Sequence, residues 1–165
     1  MAVNEILIKR GTPFTLLSSG GSGQFTLNCG SGSGIQSNVF DLGDPHADSY
    51  ELYAEIVAGA APTAGTTYDL YLAPANNSGR YPGLATGVDG NYLTGVTISA
   101  SLVQLSYLGS VVTVNASGIQ SNVMTIYPTM RSGCMVLKNS TNTHIVDHVS
   151  GLIQLTSLTP VFQTG

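Results

Sequence analysis

The chain has 165 residues, which suits one domain, and 42% of them are hydrophobic, enough for a substantial core. Only 8% are charged, against roughly 25% in a typical soluble domain, and the net charge is −4. Five basic residues cannot form the patch that displaces phosphate counterions, so we expect no nucleic-acid partner. No stretch approaches the roughly 18 apolar residues of a membrane span, and the N-terminus lacks the apolar run of a signal peptide. We therefore expect no membrane partner.

The first third of the chain reads as short strands separated by turns rich in Gly, Ser and Pro. These residues break helices and strands, and the apolar runs between them are short. The predicted strands are Glu5–Lys9, Phe14–Leu17, Gln24–Asn28 and Ser37–Leu42. We expect residues 1–12 to form an extended N-terminal arm or an edge strand, and Gly43-Asp44-Pro45 to form a turn.

The central segment, residues 48–74, carries the strongest strand pattern, with two runs of period two joined by AGAAPTAG. The predicted core face comprises Tyr50, Leu52, Ala54 and Ile56 of the first run and Tyr68, Leu70 and Leu72 of the second. The predicted outer face comprises Glu51, Tyr53, Glu55, Thr67, Asp69 and Tyr71. The connection is too short and too rich in Gly and Pro for a helix. We therefore predict a hairpin over residues 50–73.

The second half continues the strand pattern after a long irregular segment, residues 74–90. This segment carries Arg80 and Tyr81, which can contact a partner by hydrogen bonding, cation–π interaction or stacking; the alternative is a solvent-exposed loop. Further strands are predicted at Asn91–Ile98, Leu102–Leu108, Val111–Val114, Asn122–Tyr127, Cys134–Lys138, His144–Val149 and Leu152–Leu158. About ten to twelve short strands without a convincing helix predict a single all-β domain over residues 1–165, an antiparallel β-sandwich.

One internal repeat is visible, because SGIQSNV occurs at Ser33–Val39 and again at Ser117–Val123. In both copies a Gly-containing turn enters a predicted strand. The repeat reflects a coincidence, a sequence that recurs where a turn leads into a strand, or an old duplication of half the chain. Outside the repeat, the two halves share little except the pattern of apolar residues.

Candidate chemistry is sparse. The densest ionisable segment comprises the acids Asp41, Asp44, Asp48 and Glu51, with His46 among them. Calcium takes six to eight oxygen ligands from such loops, and Asp41, Asp44 and Asp48 are the candidate ligands. The spacing and glycine of an EF-hand are absent, so we favour a structural loop over a metal site. No nucleophile elbow or phosphate-binding loop is present, and we expect neither catalysis nor a cofactor. Cys29 and Cys134 match no metal motif, and we favour two buried free thiols over a pairing of the two, which the sequence leaves open.

Tyr53 and Tyr71 are the most informative residues of the predicted outer face. Aromatic side chains on a face with little charge favour a protein partner or a sugar ring. We interpret the face first as a subunit interface and second as a carbohydrate-stacking surface. Together with Arg80 and Tyr81 these residues form the predicted contact set.

The stretch GTTYDLYLAPANNSGRYPG at Gly65–Gly83 resembles segments of small all-β virion proteins of tailed bacteriophages, in which a similar strand leads into a loop rich in Gly, Asn and Tyr. RSGCMVLKNST at Arg131–Thr141 is similar to a later strand of those proteins. The resemblance implies a jelly-roll subunit on the capsid surface, a decoration or cement protein bound to the major capsid protein or another virion protein. It supplies no catalytic residues. A homo-oligomer is expected, and a trimer suits a local three-fold axis. The alternative function is a lectin-like, carbohydrate-binding sandwich on a tail or fibre.

Overall fold

The computed structural model describes residues 5–17, 29–76, 79–94, 96–143, 145 and 151–163. Within these ranges the chain forms eleven strands and one short helix, and all strand pairs are antiparallel. The elements are β1 Glu5–Arg10, β2 Phe14–Leu17, β3 Ser33–Gln36, β4 Phe40–Asp41, β5 Ser49–Ala58, β6 Thr67–Pro74, β7 Gly90–Thr94, α1 Val96–Leu102, β8 Ser106–Val112, β9 Gly118–Ile126, β10 Ser132–Asn139 and β11 Leu152–Gln163. The predicted all-β sandwich is confirmed.

The strands form two sheets with a nested pairing. The first sheet has the order β1-β11-β5-β9, with β2 also paired to β11. The second sheet has the order β7-β3-β10-β6-β8, with β4 also paired to β10. Early strands pair with late ones in sequence: β1 with β11, β3 with β10, β5 with β9 and β6 with β8. This is a long hairpin wrapped into two sheets, the connectivity of a jelly roll.

One apolar core lies between the two sheets, formed by alternate residues of their strands. Because successive side chains of a strand point to opposite faces, every second residue of β5 and β6 is buried. All seven residues that the sequence places on the core face of the central segment are at most 5% exposed. The same core also contains Leu16 of β2, Met135 and Leu137 of β10, and Ile153 and Leu155 of β11. The prediction of which central residues face inward is confirmed.

The predicted hairpin over residues 50–73 is wrong. Strand β5 pairs with β11 and β9, whereas β6 pairs with β10 and β8, so residues 59–66 cross from the first sheet to the second. Two amphipathic strands can bury their apolar sides either by pairing in one sheet or by facing each other across a core. Alternation does not distinguish these arrangements. As a consequence, Tyr53 and Tyr71 lie on the outer faces of different sheets.

The helix α1 also departs from the sequence prediction, which placed strands at Asn91–Ile98 and Leu102–Leu108. Ile98 and Leu102, four residues apart, are both buried in a second, smaller core. This second core includes Cys134 and Val136 of β10, which alternate along the strand with Met135 and Leu137 of the main core. An isolated seven-residue helix is not stable in water, so this contact with the outside of the second sheet determines the conformation.

Several boundaries differ by a few residues from prediction. The predicted strand Ser37–Leu42 contains only the two-residue β4, whereas β11 continues to Gln163. Gln24–Asn28 lies outside the described residues, as does His144–Val149 apart from Ile145, which forms bridges to Cys29 and Ala58. No helix within the described ranges is long and apolar enough to cross a membrane.

The two copies of SGIQSNV occupy different places in the fold. The first forms β3, inside the second sheet, and the second begins β9, at an edge of the first sheet. Ile35 is 4% exposed, but the equivalent Ile119 is 61% exposed. The same seven-residue sequence therefore occurs in two different structural environments.

A matched pair of substitutions tests the core assignment. Val111 is fully buried and Val112, its neighbour on β8, is 59% exposed. Val111→Ala should lower the free energy of unfolding by about 2 kcal/mol, from lost apolar burial and the cavity left behind. Val112→Ala should change it by no more than about 0.5 kcal/mol. Urea unfolding measures both, and equal effects would contradict the described orientation of β8.

Candidate interaction surfaces

The outer face of the first sheet carries an exposed apolar patch. On β9, Ile119 and Val123 point away from the core and are 61% and 55% exposed. On the adjacent β5, Val57 lies opposite Ile119 and Tyr53 lies opposite Val123. We call these four residues the β9 patch. The exposed Tyr127 follows β9 directly. The Val57–Ile119 and Tyr53–Val123 pairs thus present apolar surface beside the sheet edge, with the Glu55–Ser121 pair between them.

Two members of the β9 patch, Ile119 and Val123, lie within a long part of the chain that carries no charge. Residues 90–130, between Asp89 and Arg131, contain no Lys, Arg, Asp, Glu or His. This part includes β7, α1, β8 and β9. Charged residues are depleted in the buried centres of protein interfaces because they are costly to remove from water. This signal can be read from the sequence alone, yet the alternation analysis overlooked Ile119 and Val123.

Tyr53, predicted as a contact residue, lies half-buried in the β9 patch. Its hydroxyl donates a hydrogen bond of 2.7 Å to Glu55, which raises the pKa of Tyr53. On the same face Glu51 forms an ion pair of 2.5 Å with Arg10. Both carboxylates of β5 therefore have partners within the chain. The face presents the tyrosine ring with its polar tip already satisfied.

Tyr71 lies on the opposite side of the sandwich, on the outer face of the second sheet. Its ring centroid is 5.3 Å from that of Tyr107, with an interplanar angle of 59°. The two rings line a cleft of about 330 Å³ that also includes Lys138, Leu102 and Val103. Burial, followed by the nearby Asp69 charge, raises the pKa of Tyr71. The cleft combines aromatic faces with one cation.

Asp69 is held at the edge of this cleft by hydroxyl groups. Ser110 and Ser140 donate to its two carboxylate oxygens at 2.6 and 2.7 Å. The hydroxyls of Tyr107 and Ser110 are themselves 2.5 Å apart. This chain of hydrogen bonds orients Tyr107 relative to the second sheet.

Arg80 and Tyr81 do not join either tyrosine to form one site. Arg80 is exposed, and its backbone N–H donates to Oδ1 of Asn76 at 2.8 Å. Tyr81 is half-buried and packs on the second core, with its ring against Gly87. A Cβ at Gly87 would lie 2.5 Å from the tyrosine ring, and the φ of 69° also favours glycine there. Tyr81 therefore anchors its own loop.

The acidic segment is organised by an arginine. Arg131 donates two hydrogen bonds to Asp41, of 2.7 and 2.6 Å, and its Nη1 lies 3.8 Å from Asp44. This contact lowers the pKa of Asp41 from 3.8 to about 2. No group of three potential metal ligands occurs among the described His, Cys, Asp and Glu residues. The alternative of a cation site at Asp41, Asp44 and Asp48 is not supported, because a guanidinium already neutralises its first ligand.

Both cysteines are free and buried, as predicted. Cys29 belongs to the main core and Cys134 to the second core. Burial raises the pKa of each thiol to about 11. Since the thiolate is the reactive form, both should react slowly while the chain is folded.

A second exposed surface lies where the first and last described strands, β1 and β11, pair. Strand β5 follows β11 only as far as Leu158, whereas β1 pairs with residues 158–163. Beyond Leu158, β1 and β11 thus form a two-stranded ribbon without β5. Its exposed apolar residues are Ile6, Leu7, Ile8 and Val161. The segment predicted as an arm or edge strand is an edge strand over residues 5–10.

Comparison with known proteins identifies no family for this chain. No protein-family model matches the chain, and no curated protein matches it.

The contact between Arg131 and Asp41 gives a pH-dependent prediction. Because the folded-state pKa of Asp41 is lowered, the contact contributes stability above about pH 3.8 and loses it as the pH falls through about 2. Asp41→Asn should therefore unfold at lower urea than the wild type at pH 7, with the difference vanishing near pH 2.

Arg131→Gln provides the control for this prediction. It should lower the urea midpoint at pH 7, and the double variant should be no less stable than the more destabilised single variant, since both remove one interaction. A difference between wild type and Asp41→Asn that is the same at both pH values would contradict the assignment.

Proposed function

We propose that the chain is a structural virion protein, a capsid decoration or cement subunit that binds the outside of a phage shell. The observation that carries the proposal is the β9 patch, whose exposed Ile119 and Val123 lie within a part of the chain that has no charge. Its partner is the major capsid protein or another virion protein. In this role the chain acts by binding and needs no catalytic group or cofactor.

The fold and the resemblance of two segments support this role. Jelly rolls occur in viral capsid domains and in lectins, so the fold is compatible with both candidate functions. Fold alone does not define function. The segments Gly65–Gly83 and Arg131–Thr141, which resemble phage virion proteins, form β6 with its following loop and β10. These strands pair along the middle of the second sheet.

The physical basis of binding is the low cost of removing the β9 patch from water. Ile119 and Val123 lose only hydration of apolar surface on binding, which is favourable at roughly 25 cal/mol per Å². Tyr53 brings a ring whose hydroxyl already has an acceptor. No helix packs on this face within the described part of the chain, and the face is therefore available to a flat partner. Several symmetric copies per shell are expected.

Co-sedimentation with shells of the phage whose genome encodes the chain tests the proposal. Val123→Asp places a charge in the β9 patch and should weaken shell binding by at least ~10-fold, as for the loss of an interface centre. Val112→Asp is the matched control, because Val112 is equally exposed but lies opposite Thr67 on the second sheet. It should bind like the wild type.

Two results would contradict the proposal. Failure of the folded wild-type chain to sediment with its shells would remove the virion role. Equal loss of binding in the two valine variants would keep that role but remove the β9 patch as the contact.

The cleft between Tyr71 and Tyr107 supports a second candidate, carbohydrate binding. Paired aromatic rings beside Lys138 offer stacking surfaces and a cation for a sugar with an acidic group. Tyr107→Ala should abolish any glycan-array signal of the purified chain, while Tyr53→Ala, which changes a tyrosine on the outer face of the first sheet, should retain it. Absence of signal for the wild type would eliminate this candidate.

A further inference from the structure

The outer edge of β1 is unpaired in the described structure. Within the described ranges β1 pairs with β11 alone, and it forms the end of the first sheet. An edge strand exposes a row of backbone donors and acceptors that can pair with another strand. A two-stranded ribbon is also marginally stable by itself in water. Because Ile6 and Ile8 are about 60% exposed, this ribbon has apolar surface as well as backbone groups to offer.

The sequence of β1 is self-complementary when one copy is reversed. Its first five residues are Glu5-Ile6-Leu7-Ile8-Lys9. Read from either end, the order of types is a charged residue, isoleucine, leucine, isoleucine and a charged residue. The two terminal charges are of opposite sign. An antiparallel pair of identical strands centred on Leu7 therefore matches apolar with apolar and acid with base.

We propose that β1 pairs antiparallel with β1 of a second copy of this chain, about a two-fold axis at Leu7. In this register Leu7 faces Leu7 of the second copy, Ile6 faces Ile8, and Glu5 faces Lys9. The two ribbons become one four-stranded sheet of order β11-β1-β1-β11. The first sheets of two molecules then continue into each other.

The charges argue for a second copy over an unrelated strand. A lysine on an edge strand commonly discourages pairing, since an arbitrary partner offers it no acid. Pairing about the two-fold axis places Glu5 of each copy opposite Lys9 of the other, so that one such pair lies on each side of Leu7. A register shifted by one residue would place Lys9 against Ile6. Glu5 would then face Arg10, which already pairs with Glu51 of its own chain.

A cysteine placed on the axis tests the contact directly. Opposed Cα atoms in an antiparallel pair lie about 4.5–5.5 Å apart, within the range that a disulfide spans. Leu7→Cys should therefore oxidise to a covalent dimer. Val161→Cys is the matched control, because Val161 lies opposite Leu7 on β11 and has similar exposure. Its copies would be three strand spacings apart, about 14 Å, and should not link.

Exchange of the two terminal charges provides an independent test. Glu5→Lys and Lys9→Glu each oppose like charges at two symmetric places, and each should weaken the dimer roughly 2- to 30-fold. The double variant restores opposite charges and should recover wild-type association. Sedimentation equilibrium over a range of concentrations measures the dimer, and circular dichroism checks that each variant is folded.

The inference concerns contact between two copies and does not rest on the virion role. A wild-type chain that stays monomeric, equal cross-linking of the two cysteine variants, or a double charge variant as weak as the single ones would overturn it. A trimer insensitive to these substitutions would also overturn it. All these measurements use the isolated protein, so a negative result in them can be distinguished from a failure to bind shells. Cys29 and Cys134 are buried and present in both cysteine variants, so they do not bias the comparison.

Discussion

The constraint on which the structure depends is that two amphipathic sheets share one apolar core. The inward faces of β5 and β6 both belong to this core, although the strands lie in different sheets. Outward residues of the two sheets therefore lie on opposite sides of the sandwich, except at the edge where β8 and β9 meet and Tyr107 and Thr125 line one pocket. The β9 patch and the Tyr71–Tyr107 cleft are consequently separate faces that approach each other only along this edge.

Sequence reasoning was reliable where the determining interaction is local. Period-two alternation correctly assigned the buried side of residues 50–56 and 68–72, because burial of a strand face follows from its own side chains. Strand partners depend on residues far along the chain, and for this reason the hairpin was wrong and the pairing of β1 with β11 could not be derived. The helix α1 was missed because Val96, Thr97 and Ile98 are strand-favouring residues, whereas burial of Ile98 and Leu102 in the second core favours the helix.

The repeated heptapeptide shows how far a short identity extends. Gln36 and Gln120, its shared glutamines, are both 4% exposed. Each amide ties down a loop: Oε1 of Gln36 accepts from the N–H of Thr86, and Oε1 of Gln120 accepts from the N–H of Val114. The isoleucine before each glutamine has opposite burial. The feature that the two copies share is thus a buried glutamine that hydrogen-bonds to the backbone of a nearby loop. This local role does not require the two copies to occupy equivalent positions in the sandwich.

The two proposed contacts are compatible in one assembly. Antiparallel pairing of identical strands about an axis normal to the sheet places equivalent side chains on the same side, since directly opposed residues share a face. Two copies joined through β1 would therefore turn both β9 patches toward the same side, at opposite ends of the joined sheet, with sheet twist setting their relative inclination. A repeating protein surface could then be bound at two points, and the second contact would form at a high effective concentration. A weak apolar contact on the outer face of the first sheet would in this way suffice for stable attachment.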